Sequence, residues 1–95
     1  MLNERIRKLR LAGNLSQVDL AKKLNVTKQS VSNWENDNIL PSIEMLVELA
    51  RTFGVSTDYL LGLDDRRYIE VSGLSDEEIS HIQQIITDIT KKNGQ

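Results

Sequence analysis

The run Gln17-Val18-Asp19-Leu20-Ala21-Lys22-Lys23-Leu24-Asn25-Val26-Thr27-Lys28-Gln29-Ser30-Val31-Ser32-Asn33-Trp34-Glu35-Asn36 reads as two short helices joined by a tight turn. Ser16, just before it, is an N-cap residue whose side-chain oxygen accepts a backbone N–H that the helix cannot satisfy, and Asp19 three residues on completes a capping box. Leu15 is placed to staple onto Leu20. Leu20, Ala21 and Leu24 fall on one face, with Ala21 small enough for a close helix crossing. Asn25 tolerates the left-handed conformation that ends a helix abruptly. Val26-Thr27 then repeats the staple-and-cap signature. In the second helix Val31 and Trp34 point one way, and Lys28, Gln29, Ser32 and Asn33 point the other. A polar face thus stands opposite an anchored one.

Working outward, Asn3 is the expected cap of a first helix with Ile6 and Leu9 inward and Gly13-Asn14 as its stop. Beyond the central pair, Asn36-Asp37-Asn38 and Pro41-Ser42 mark a loop. Met45, Leu46, Leu49, Ala50 and Phe53 then recur at helical spacing as far as Gly54. Val55-Ser56 opens a short fifth helix that contains Tyr59, Leu60 and Leu61 and ends at Gly62. Residues 64–73 read as a linker, solvated at Leu63-Asp64-Asp65-Arg66-Arg67 and weakly strand-like at Tyr68-Ile69-Glu70-Val71. Leu74-Ser75 with Glu78 signals a last helix over 74–92, carrying Ile79, Ile82, Ile85, Ile86 and Ile89. The expected class is all-α: a five-helix body over 1–63, a partly extended linker, and a C-terminal amphipathic helix.

The 95 residues suffice for one modest core. With no cysteine there is no disulfide framework and no thiolate metal site, so a reducing cytoplasm is the expected compartment. No signal peptide and no membrane span is expected from the sequence. The formal net charge of −2 conceals an asymmetry: residues 1–67 carry +1 and residues 68–95 carry −3. Arg5, Arg7, Lys8, Arg10, Lys22, Lys23 and Lys28 face only Glu4 and Asp19 in the first 28 residues, a subset basic enough to meet phosphate. Catalysis finds no candidates: there is no Ser/His/Asp or Cys/His set, no phosphate-binding glycine loop and no cofactor motif. His81 has no second His or Cys nearby, so no metal is expected. Asp76-Glu77-Glu78 is explained by the helix dipole, and Trp34, at its spacing from Val31, by the core. The chain is read as a non-enzyme without cofactors.

The sequence resembles the phage-repressor and Cro-like family, also called the Xre-type helix-turn-helix family. The resemblance spans roughly residues 3–63. It lies in Leu15-Ser16-Gln17 through Leu20-Ala21, Val26-Thr27 through Trp34-Glu35-Asn36, Pro41-Ser42, and Phe53-Gly54-Val55 through Tyr59-Leu60-Leu61-Gly62. It implies a lambda-repressor-like five-helix domain that binds double-stranded DNA as a homodimer, third helix in the major groove. On this chain it makes Lys28, Gln29, Ser32 and Asn33 the base readers. Gln17, Thr27, Asn38 and Arg10 become phosphate contacts, with Gln17 bracing Gln29 and Arg10 pairing with Glu35. Departures are Asn25, where Gly is common, and Asp37 beside the expected phosphate path.

The expected function is therefore a sequence-specific transcriptional regulator, a repressor, on a palindromic operator in the cytoplasm at the nucleoid. The isoleucine stripe is open to three uses: dimerisation, which is preferred, packing back on the body, or a partner protein. The competing class is an antitoxin or anti-repressor acting through that last helix. Operator sequence, regulated genes, repression as against activation and any effector are not written in these residues.

Overall fold

Serine and threonine side chains start most of the helices. In the computed structural model, which describes residues 1–94, the chain forms α1 (Leu2–Ala12), α2 (Gln17–Leu24), α3 (Lys28–Glu35), α4 (Ile43–Phe53), α5 (Thr57–Leu60) and α6 (Asp76–Lys92). Ser16, Thr27, Ser42, Ser56 and Ser75 each accept a hydrogen bond from a backbone N–H three residues on. Asp19 and Glu78 return the bond to the cap backbone, closing the two boxes read from the sequence.

The stops divide between asparagine and glycine. Asn25 ends α2 at φ 58°, and Gly54 ends α4 at φ 66°. After α1 the left-handed residue is Asn14, at φ 57°, while Gly13 keeps an ordinary negative φ.

Two expectations change. Asn3 lies inside the first turn of α1 rather than capping it: the cap position is Met1, and the Asn3 amide donates instead to the Glu35 carbonyl at 3.5 Å. Tyr68–Val71 forms no strand, and no strand occurs among the described residues. A β-prone tetrapeptide needs a neighbouring ladder for its backbone groups, and this helical chain offers none.

The core gathers Ile6 and Leu9 of α1, Leu20, Ala21 and Leu24 of α2, Val31 and Trp34 of α3, Leu49 and Ala50 of α4, and Leu60 of α5. Every one of these lies between residues 6 and 60, and α6 supplies none. The radius of gyration of 15.6 Å exceeds the roughly 12 Å of a compact chain this long. α6 accounts for this, since it has no buried residue. Its Ile85, Ile86 and Ile89 stand about half exposed, and Ile79 and Ile82 are partly covered.

The linker is anchored where it leaves the body. Arg5 of α1 donates to the carbonyls of Tyr59 and Asp64 and to Asp65 Oδ1 at 2.6 Å, with its guanidinium 4.1 Å from the Tyr59 ring centroid. Arg66 turns back on Asp64 Oδ1 at 3.1 Å. The segment read as solvated is thus tied to α1 and α5 by a planar cation that hydrogen-bonds and stacks at once.

Candidate nucleic-acid interface

The outer face of α3 is built by a periodicity that buries Val31 and Trp34 and turns residues 28, 29, 32 and 33 away. Lys28 and Gln29 are exposed, Ser32 and Asn33 half-buried. The polar side chains are ordered along the helix. Gln29 Nε2 donates to Asn33 Oδ1 at 3.0 Å, and Asn36 Nδ2 donates to Ser32 Oγ at 3.2 Å. The Asn33 carbonyl accepts from the backbone amides of Asn38 and Ile39 at 2.9 and 3.4 Å, which folds the following loop against the helix end. Within that loop Asp37 is exposed at φ 59°.

At the other end, Thr27 Oγ1 accepts from Ser30 N at 3.1 Å and lies 3.0 Å from Ser30 Oγ. α3 has no acidic residue in its first turn, whereas each of the other helices has at least one. Its N-terminal partial positive charge is therefore not neutralised from within, and Lys28 adds to it.

What fixes this face is a buried carboxylate. Glu35, at the end of α3, is 2% exposed. Its Oε2 accepts from Arg10 Nε at 2.6 Å; its Oε1 accepts from Arg10 Nη2 at 2.9 Å, Gln17 Nε2 at 3.2 Å and Arg7 Nε at 3.4 Å. Arg10 Nη1 reaches the Leu15 carbonyl at 2.9 Å. One side chain thus joins α1, α2 and α3. Burial alone raises a carboxyl pKa, but the hydrogen bonds from Arg10, Gln17 and Arg7 and the charge of Arg10 outweigh it, holding Glu35 below its ordinary range. Glu35 in turn holds the Arg10 guanidinium above its own.

These contacts redistribute the expected roles. Arg10, with Nε and both Nη atoms engaged and its side chain 11% exposed, holds α3 in place instead of facing a phosphate. Gln17 braces Glu35 rather than Gln29, and Gln29 finds Asn33 instead. Lys28, Thr27 and Asn38 are exposed beside the polar face. The basic subset shrinks, since Arg5, Arg7 and Arg10 have acidic partners elsewhere in the chain, Asp65 on the exposed linker and Glu35 in the core. Among the described residues, Lys8, Lys22, Lys23 and Lys28 form no ion pair. Arg5 and Arg7 carry structural roles that sequence reading missed. The available signal was only that an arginine fork suits carboxylates as well as phosphates.

Residues 6–60 match the family described as helix-turn-helix. The chain belongs to that family, in its phage-repressor-like branch. Over 65 residues it is 42% identical to an uncharacterized HTH-type transcriptional regulator, YobD, of Bacillus subtilis, covering 68% of this chain and 58% of that relative, so it spans little more than half the relative's length. The fold matches the P22 c2 repressor solved with a synthetic operator: TM-score 0.64, 34% identity, 67% of this chain and 97% of that one. It also matches a chain from the SinR protein/SinI protein complex, with TM-score 0.63, 26% identity, 93% of this chain and 81% of that one. Among the described residues no helix is long and apolar enough to cross a membrane, and no group of three or more acidic, His or Cys side chains is arranged around a metal.

Proposed function

We propose that this helix-turn-helix protein is a sequence-specific regulator of transcription, a repressor. In this reading two copies bind a palindromic operator, each with α3 in the major groove and half-sites about one helical turn apart. The observation that carries it is the ordered polar face on α3, held from behind by the Glu35 cluster. A relative solved on a synthetic operator supports it.

Gln29 and Asn33 supply amides of the kind that read adenine bidentately, Lys28 favours guanine O6 and N7, and Ser32 accepts either. Thr27, Asn38 and the second N–H of Gln17 contact phosphate and set register. Arg10 acts only through Glu35. The α6 isoleucines join the two copies, and the protein works in the cytoplasm on the nucleoid.

The test is selection of the purified protein on a random duplex library at two salt concentrations, which separates phosphate attraction from base readout. A recovered palindrome supports the reading. Folded protein that enriches no sequence overturns it. The alternative is then a protein-interaction module of antitoxin or anti-repressor type. That alternative is favoured by the half-exposed stripe on α6 and by a fold shared with a chain from a two-protein complex.

A further inference from the structure

The apolar stripe of α6 is symmetric along its own length. Ile79, Ile82, Ile86 and Ile89 are separated by three, four and three positions, so reversing the helix about residue 84 maps the stripe onto itself. The charges do the opposite. The first turn is acidic, with Asp76, Glu77 and Glu78, and the last turn basic, with Lys91 and Lys92.

We infer that α6 pairs with α6 of a second copy in antiparallel orientation. The inference rests on the dimeric reading proposed above and adds its geometry. Ile79 lies against the partner's Ile89, and Ile82 against the partner's Ile86. Ile85 flanks the seam at its midpoint and borders the partner's Ile85.

Two arguments select a second copy in this orientation. Parallel pairing sets acidic turn against acidic turn and lysines against lysines. Antiparallel pairing sets each acidic turn beside the other copy's lysines and opposes the two helix dipoles. The apolar match is equally good either way in length, so the charges decide. The helix also needs a partner. Seventeen residues form a rod of about 25 Å that is marginal in water without packing, and this one has no buried residue of its own.

The chain has no cysteine, so single-cysteine variants of the full chain report orientation directly. Ile79→Cys and Ile89→Cys are oxidised separately and mixed. Antiparallel pairing yields covalent dimer in the mixture and little from either alone, because like positions are about 15 Å apart along the pair. Self-linking of Ile79→Cys alone overturns the orientation and leaves the dimeric reading standing. A second set guards against loss of packing: Lys91→Glu/Lys92→Glu weakens self-association about tenfold at low salt, and mixing it with Asp76→Lys/Glu77→Lys restores it. Unchanged self-association of the first variant overturns the inference. A stop after Arg67 that leaves the oligomeric state in sedimentation unchanged removes α6 from the interface and overturns the inference, whereas a full chain that sediments as a monomer overturns the dimeric reading itself.

Discussion

Arg10 grips Glu35 at two points, Nε to Oε2 and Nη2 to Oε1, across the gap between α1 and the end of α3. The pair is nearly sealed from solvent on both sides, with side-chain exposures of 11% and 0%. Removing one member strands a charge where water cannot replace the partner. Arg10→Ala is expected to lower stability by roughly 3 kcal/mol, the lower end for a broken buried pair, because Gln17 and Arg7 stay on Glu35. Arg10→Met with Glu35→Leu should recover most of that in urea unfolding, since a packed apolar pair avoids the desolvation cost.

The same carboxylate sets an acid limit. Its pKa in the folded chain lies below the ordinary 4.5, so its contribution is complete above that value and is lost as pH falls through the lowered one. Unfolding free energy followed from neutral pH to about pH 3 should decline at the acid end. The decline should be shallower in Glu35→Gln. Equal slopes would remove Glu35 from the cause.

Asn25 holds a left-handed conformation at φ 58° between α2 and α3. Asn25→Gly should be neutral or slightly stabilising, whereas Asn25→Val should cost on the order of 1–2 kcal/mol by crowding its β-carbon against the carbonyl. Thermal or urea denaturation of the two variants checks this.

Gln29 and Asn33 are joined at 3.0 Å on the proposed reading face, so their effects on binding should not add. Gln29→Ala is expected to cost about 1–3 kcal/mol at one base position and relax specificity there. Gln17→Ala should weaken all sites more evenly. A double-mutant cycle on the selected operator measures the coupling. If neither substitution alters binding to the preferred site, the reading face has been misplaced.

What the sequence displayed was local chemistry. Ser16 with Asp19, Thr27 with Ser30 and Ser75 with Glu78 are partners three residues apart, and their hydrogen bonds follow from helix geometry alone. The inward stripe of Leu20, Leu24, Val31 and Trp34 followed from period in the same way. The long-range partners did not follow. An arginine looks identical in sequence whether it meets a phosphate or a carboxylate brought beside it by folding. The resemblance supplied the Arg10 and Glu35 pairing, but nothing local announced Gln17 and Arg7 on the same carboxylate or Arg5 on the linker. Asn3 sits inside the first turn of the helix rather than at its cap, and its amide answers to a carbonyl on α3 that no local pattern announces. The residues 68–71 were β-prone in isolation, but a strand depends on a neighbour that composition cannot reveal.

The internal use of Arg5, Arg7 and Arg10 bears on how such a protein would find its target. Each phosphate neutralised releases counterions and steepens the dependence of affinity on salt, and with Arg5, Arg7 and Arg10 paired to carboxylates that work would fall, on the proposed interface, to a few lysines. Residence on arbitrary duplex should be brief, with a shallow salt slope. Searching would then proceed by frequent dissociation and rebinding more than by long excursions along one molecule, and few copies would be lost to the vast excess of wrong sites.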